Sequence, residues 1–361
     1  MAEVKVQNIS KSFRKKKVLD DVSFEARDKA FTAILGSPGA GKTTLLRIIA
    51  GVETPDTGRV ILDGKDVTKT PPQARGIAVV YQSFALYPHM TVYDNIANPL
   101  RAKKMSQEEI KKRVQKVADF LKISGLLERR PKELSGGEAQ RAATARALVR
   151  EARAYLFDEP LTNLDYKIRE DMRIELREMC KELGSTIIYA TPDPLDTLSM
   201  SEYVGVLVGG RLRQFGTSKE VYRRPADTEV ASIFSFPPIN IIECTAERKD
   251  GQTYLRHESI SVNVTDLKHE IQPGRKYVVG IKPQHLKLFE KEAGVTFDAD
   301  LFLTEVLGAE TICHLRLGKT ILKAYVPRIY RSDREEKVSI AFDPKNILLF
   351  DADTKQLVNR D

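Results

Sequence analysis

The spacing of apolar and polar residues changes several times along the chain, and each change marks an element. Phe31-Thr32-Ala33-Ile34-Leu35 is a short β-prone stretch, and downstream of it Leu45, Leu46, Ile48 and Ile49 recur at helical spacing. The order there is strand, turn, helix. Residues 154 to 159, Ala-Tyr-Leu-Phe-Asp-Glu, form an apolar run of strand length ending in two carboxylates, as at the edge of a buried parallel sheet. Gln140, Arg141, Ala142, Ala143, Ala145, Ala147 and Leu148 lie on an evident helix. From about residue 236 the period shortens to alternating strands separated by Asp250-Gly251, Pro273-Gly274 and Gly318, an all-β pattern. An α/β region followed by an all-β region is the predicted architecture.

Length and composition agree with this picture. A chain of 361 residues suits two or three domains, and 42% hydrophobic with 30% charged residues is the composition of a soluble globular protein. Its apolar runs all fall short of the roughly 18 residues a membrane helix needs, and Met1-Ala2-Glu3-Val4-Lys5 is no signal peptide, so a cytosolic location is expected. The net charge of +8 is spread along the chain, and Lys15-Lys16-Lys17 reads as a solvated turn. Cys180, Cys244 and Cys313 lack metal-ligand spacing and are expected to be free buried thiols.

The chemistry sits in the turn between the first strand and helix. Gly36-Ser37-Pro38-Gly39-Ala40-Gly41-Lys42-Thr43, followed by Thr44, is a complete G-x-x-x-x-G-K-[ST] phosphate-binding loop in the strand–helix context it requires. Glycines 36, 39 and 41 let the backbone curl and a triphosphate approach closely, and the helix starting near Lys42 adds its positive end. Lys42 is placed for the β- and γ-phosphates and Thr43 for Mg²⁺. Asp158 is a second candidate for Mg²⁺, and Glu159 for orienting or deprotonating the attacking water. Ser135-Gly136-Gly137 opens a helix and offers a second anion-binding cap.

With these residues in place, the chain resembles the ATPase subunit of ATP-binding-cassette (ABC) transporters. Leu134-Ser135-Gly136-Gly137-Glu138 is similar to that family's signature, with Glu138 in place of glutamine. Tyr81-Gln82, after Ile77-Ala78-Val79-Val80, resembles its Q-loop, and Leu161-Thr162-Asn163-Leu164-Asp165 its D-loop. Phe13 is placed like the aromatic that stacks on adenine. The resemblance implies ATP and Mg²⁺ as ligands, with Gln82 joining Thr43 and Asp158 at the metal. Ser135, Gly136, Gly137 and Glu138 would serve the nucleotide of a partner subunit. It further implies a P-loop α/β nucleotide-binding domain over residues 4–235, carrying an inserted helical subdomain at about 87–151. An all-β, oligonucleotide-binding-fold-like regulatory domain of the TOBE/MOP type would follow over 236–361.

The segment from Phe84 to Ile96, including Tyr87-Pro88-His89, resembles the carbohydrate-uptake branch, where this surface receives a coupling helix from a permease; Tyr87 and Pro88 read equally well as core. Gly280 to Leu286 and Phe342 to Asp351 resemble the regulatory domain of that branch, and His285 and His314 read as its strand residues. His257 and His269 carry no signal. The implied function is ATP-driven import of a sugar, a polyol such as glycerol, or glycerol phosphate, from the cytoplasmic face of the membrane. The implied partners are a second cassette subunit, two permeases and an extracytoplasmic solute-binding protein. A homodimeric importer ATPase for another solute, such as a polyamine or an anion, is the alternative. A non-transport cassette protein fits less well, because such chains carry two cassettes and lack this tail. Nucleic acid is not an expected partner, since Trp is absent and aromatics do not interleave with basic residues.

Two departures fall in one pocket. Where the family has a switch histidine in Thr-His-Asp, this chain reads Thr191-Pro192-Asp193, and proline has neither a side-chain donor nor an N–H. Where the phosphate loop usually has serine before its middle glycine, this chain has Pro38. The subunit's own site is therefore expected to be weakened while its signature is nearly intact, which points to one half of a heterodimer. Glu159 stands against a site given over to binding alone.

Overall fold

The structure is a computed structural model that describes residues 3–358 except 84, 163–164, 259, 266–270, 290–293 and 333; the side chains of 166, 167, 179, 180 and 183 are likewise outside it. Phe84, Asn163, Leu164, His269 and the Cys180 side chain thus lie outside the described residues. The chain divides into two compact units, Met1–Lys219 and Glu220–Asp361.

The first unit contains, in chain order, β1 (Val4–Phe13), β2 (Lys16–Ala26), β3 (Phe31–Leu35), α1 (Lys42–Ala50), β4 (Thr57–Leu62), β5 (Lys65–Asp66), α2 (Pro72–Arg75) and β6 (Ile77–Val80). It continues with α3 (Val92–Ala102), α4 (Gln107–Phe120), α5 (Gly136–Leu148), β7 (Ala154–Asp158), α6 (Tyr166–Leu183), β8 (Thr186–Thr191), α7 (Pro194–Met200), β9 (Tyr203–Val208) and β10 (Arg211–Thr217). The central sheet has the order β10-β9-β3-β8-β7-β6, parallel except for the antiparallel edge strand β10. A second, antiparallel sheet has the order β2-β1-β4-β5.

Strand period places the core. Leu156, Ile188 and Ala190 turn to one face of the central sheet and pack with α1 residues Leu45, Ile48 and Ile49 and with Val4, Val6 and Val60 of the second sheet. Their neighbours Tyr155, Phe157, Ile187 and Tyr189 turn to the other face. These pack with Ile96 and Leu100 of α3, Val114 of α4, Ala142 and Ala145 of α5, and Met172 and Leu176 of α6. Continuous apolar strands are thus apolar because both faces are covered. The carboxyl ends of β3, β7 and β8 share one edge, where open α/β sheets bind ligands.

One buried side chain fixes α1 from behind. Arg75, 3% exposed, donates to Ile48 O and Ile49 O (both 2.8 Å) at the end of that helix, and to Thr68 O and Thr70 O. A guanidinium thus reaches carbonyls at a helix end, Ile48 O also accepting from Gly51 N (3.1 Å).

The second unit opens with the helical residues up to Arg223 and the helix Thr228–Ile233, then is all-β. Its strands are β11 (Asn240–Lys249), β12 (Gln252–His257), β13 (Ile260–Asn263), β14 (Lys276–Ile281), β15 (Lys287–Leu288), β16 (Val295–Leu307), β17 (Glu310–Leu317), β18 (Thr320–Val326), β19 (Glu336–Phe342) and β20 (Leu348–Asp351). They form two five-stranded antiparallel sheets, β13-β12-β11-β14-β20 and β15-β19-β16-β17-β18. Leu255, Val279, Leu301, Leu315 and Ile340 belong to their common core. The compact unit begins at residue 220, not at the change of period near 236. The reason is that Lys282 Nζ donates to Tyr222 O (2.7 Å) and Leu357 N to Ala226 O, which tie the preceding helical segment to the strands.

Cys244 and Cys313 are free and buried, with burial pushing their thiols up to about 12 and about 11. His314 lies on β17 as expected. His285 does not lie on a strand: Pro283, which has no N–H for a ladder, starts a single 3₁₀ turn, and His285 N donates to Lys282 O. No helix among the described residues is long and apolar enough to cross a membrane.

Candidate nucleotide site

The phosphate loop leaves β3 and enters α1 through three glycines with different tasks. Gly39 (φ 80°) and Gly41 (φ 107°) take left-handed backbone, and the space beside Gly39 is open for 4 Å around a would-be Cβ. Gly36 is needed for proximity instead: a Cβ there would stand 2.4 Å from Leu207 O. Ser37 to Ala40 forms a turn, with Ala40 N donating to Ser37 O (3.1 Å). Pro38 occupies the second position of that turn and positive-φ Gly39 the third, the placement of a type II turn, which proline favours. The loop thus loses an N–H and a hydroxyl at Pro38 but gains a pre-set backbone.

Lys42 is 3% exposed and satisfied on three sides, by Gly36 O (2.7 Å), Ser37 O (3.1 Å) and the Glu159 carboxylate (3.0 Å). One helical position on, Thr43 Oγ1 donates to Asp158 Oδ1 at 2.9 Å. Burial pushes the Asp158 carboxyl above the ordinary range, opposed by the Thr43 hydroxyl. Glu159 takes a left-handed φ of 47°, anchored by its N–H on Ala190 O (3.0 Å). Its carboxylate also receives Gln82 Nε2 (3.5 Å) and Thr162 Oγ1 (3.4 Å). Residues as far apart in sequence as 42, 82, 158, 159 and 162 thus meet at one sheet edge.

The donor set fits a magnesium nucleotide. Mg²⁺ is normally held by one or two protein oxygens plus substrate phosphates, and Thr43 with Asp158 supplies such a pair. Among the described residues there is no group of three or more His, Cys, Asp or Glu placed to hold a metal ion. The open space at Gly39 and the exposed loop residues Ser37 and Pro38 leave a cradle facing solvent. Thr44 follows Thr43 in the first turn of α1, half-buried. Phe13, at the end of β1, is 45% exposed with Lys11 Nζ over its ring at 5.1 Å, an aromatic face open to a base.

The signature residues form the start of α5. Ser135 is the N-cap; its hydroxyl accepts from Glu138 N (3.3 Å) while Ser135 N donates to Glu138 Oε2 (2.7 Å), a reciprocal capping box. The Ser135 N–H holds the Glu138 carboxyl below its usual range. Glu138 is therefore engaged inside its own helix turn. Ser135 and Gly136 are exposed and Gly137 is buried, with a Cβ there 3.0 Å from Ile168. Tyr87, Pro88 and His89 are exposed, so the core reading of Tyr87 and Pro88 does not hold. Arg146 stands over the Tyr87 ring at 5.4 Å.

A family model described as ABC transporter matches residues 19–162. Over 99% of this chain, and 100% of the relative in each case, the sequence is 34% identical to the uncharacterized ABC transporter ATP-binding protein YurJ of Bacillus subtilis and 38% identical to the sn-glycerol-3-phosphate import ATP-binding protein UgpC of Escherichia coli. The chain belongs to the ABC transporter family. This ABC ATPase is also 37% identical to the trehalose/maltose import ATP-binding protein MalK of Thermococcus litoralis over 99% of its length. Among solved structures, it is similar to a dimeric ATP-binding cassette in a post-hydrolysis state bound to ADP and Pi. That match has a TM-score of 0.55 at 28% identity, covering 60% of this chain and 98% of that one.

A charged cluster behind the switch segment has no counterpart in the sequence reading of the ABC ATPase. Asp193 accepts from Arg169 (3.2 Å) and Arg173 (2.8 Å) of α6, and Arg173 also reaches Asp196 (2.6 Å). The buried Asp196 carboxylate further receives Thr191 Oγ1 (2.8 Å) and Tyr189 Oη (3.2 Å). Arg169 and Arg173 stand four apart on one helix and Asp193 and Asp196 three apart on the next, a like-charge spacing that makes each pair share a face. That pattern was the available signal.

Proposed function

We propose that this chain is the ATP-hydrolysing subunit of an importer for a sugar, a polyol such as glycerol, or glycerol phosphate, acting at the cytoplasmic face of the membrane. Its partners are a second, different cassette subunit, two permeases and, through them, an extracytoplasmic solute-binding protein. The solute class is supported by the two import relatives, for sn-glycerol-3-phosphate and for trehalose/maltose, matched over nearly the whole chain including the all-β unit, which we read as regulatory. The exposed Tyr87-Pro88-His89 surface supports permease docking there.

In this reading Lys42 and the loop N–H groups from Gly39 to Thr43 hold the triphosphate, with Phe13 against the base. Thr43, Asp158 and Gln82 hold Mg²⁺, which when bound offsets the charge that builds as the γ-phosphoryl group leaves. Glu159 orients the attacking water and takes its proton, and it is released for that task when phosphate oxygens replace it at Lys42. Ser135, Gly136 and Gly137 complete the partner's site, with Glu138 held back by its capping bond.

The observation that carries the asymmetric pairing is Pro192 at the switch position, which offers neither an N–H nor a side-chain donor beside the assembled pairs Lys42–Glu159 and Thr43–Asp158. The intact cluster equally favours a second reading, a homodimeric importer ATPase for another solute such as a polyamine or an anion. Turnover by the purified chain alone separates the two. A missing donor aimed at transition-state charge costs about 10²–10³-fold in rate, so the partner-free chain is expected to be slow and Pro192→His to be faster. Brisk turnover by a homogeneous, partner-free preparation, unimproved by Pro192→His, would favour the homodimer.

A further inference from the structure

The segment that carries Glu159 and the segment that carries Pro192 are joined at both ends. At the near end, Glu159 N donates to Ala190 O at 3.0 Å. At the far end a single guanidinium spans them: Arg169 Nη2 donates to Thr162 O (3.1 Å) and its Nη1 to Asp193 Oδ2 (3.2 Å). Thr162 is bonded back to Glu159 twice, by its N–H to Glu159 O (3.3 Å) and its hydroxyl to Oε2 (3.4 Å). Asp193 N donates to Thr191 Oγ1 (3.0 Å), next to Ala190. The contacts close a ring that runs Glu159, Thr162, Arg169, Asp193, Thr191, Ala190 and back to Glu159.

The ring has a task that its members need physically. Glu159 is a non-glycine residue at φ 47°, a conformation that persists only where the surroundings impose it. Pro192 cannot help by donating a hydrogen bond, having neither N–H nor polar side chain. The Asp193 side chain, on the other side of Pro192, is held by two arginines and also caps α7 through Leu195 N (2.8 Å). Arginine suits the bridge because its rigid fork meets two acceptors at once, which a lysine point charge does not.

We infer that Arg169 is a positioning residue that sets the Glu159 carboxylate through the ring, substituting a structural tie to the switch segment for the side-chain donor that Pro192 lacks. The inference rests on the proposed role of Glu159 but is read by a measurement that does not require it. The full chain is compared as wild type, Arg169→Ala, Arg169→Lys, Asp193→Asn and the double variant Arg169→Ala/Asp193→Asn. Asparagine keeps the α7 cap.

The expected result for Arg169→Ala is about a tenfold loss of kcat with KM for ATP changed by less than about twofold, and no further loss in the double variant. Amide exchange in the segments 159–162 and 191–193 is expected to quicken together, while β7 and β8 stay protected. Glu159→Gln serves as the control: if it leaves turnover unchanged, the role of Glu159 fails, yet the exchange pattern still reports on the ring. Unchanged exchange in both segments, a change confined to 191–193, or full activity in Arg169→Lys would overturn the inference.

Discussion

Two helix starts in this chain, both proposed to meet a nucleotide, are built in opposite ways. At α1 the N-cap is Gly41, left-handed and without any side-chain cap, so the first N–H groups of the helix are left for a ligand. At α5 the N-cap is Ser135, and a capping box with Glu138 satisfies the turn from within. The loop at α1 is an open cradle whose single cation, Lys42, is kept in place by Glu159 and two carbonyls. The capping box at α5 pairs the N–H groups of Ser135 and Glu138. In the proposed pairing, the uncapped start meets this chain's own nucleotide and the capped start meets the partner's.

The largest effect is expected from removing the cradle's cation. Lys42→Ala deletes charge-assisted contacts in a buried pocket, at about 1.5–3 kcal/mol or more, which is roughly 10- to 100-fold or more in ATP affinity. Nucleotide titration with the partner site blocked reads it, and unchanged affinity would remove the loop from the site.

A smaller effect separates the two helix starts by pH. Burial raises the Asp158 carboxyl, so in the nucleotide-free chain its protonation stabilises the fold at low pH, and that contribution is lost as pH rises through the raised value. The Ser135 N–H lowers the Glu138 carboxyl, so its contribution is present above the ordinary glutamate range and is lost as pH falls through the lowered value. Asp158→Asn should therefore raise the melting temperature at pH 7 by about 1–3 °C, with the gain shrinking as the solution is acidified. Glu138→Gln should lower it by less than about 1 °C, with the loss fading at low pH. Thermal melts of both variants across the acid range check the pair, and equal signs would show that the two carboxylates are not held as described.

The cradle was readable in the sequence because its parts are local: a strand, three glycines, Lys42 and Thr43 within a dozen residues, and Asp158-Glu159 at the end of an apolar run. Ser135 and Glu138 also sit within one turn, yet set against the family's glutamine Glu138 is only a substitution, and its reciprocal bond with Ser135 shows in the helix cap. From sequence alone Pro38 is a loss, since the turn from Ser37 to Ala40 that gives it a fitting place depends on Gly39 at positive φ. The Arg169–Asp193 and Arg173–Asp196 pairs span 24 and 23 residues, and no local rule selects such partners from a charged helix. Arg75 was missed for the same reason. Its partners at Ile48 and Ile49 lie on the helix that carries the phosphate loop, and an arginine at the end of a four-residue helix reads as solvent-facing until its burial is seen.

The central proposal, a weakened own site paired with a nearly intact signature, is tested most directly by mutating one residue from each in the whole complex. Ser135→Arg places bulk and charge where a partner's γ-phosphate docks, and Glu159→Gln touches only this chain's own site. Solute uptake and phosphate release are measured in vesicles containing both cassette subunits and the permeases. The account predicts that Ser135→Arg stops both almost completely, while Glu159→Gln reduces them by about 10-fold or less, because a slow site contributes little to the chemical step. Equal damage from the two substitutions would contradict it.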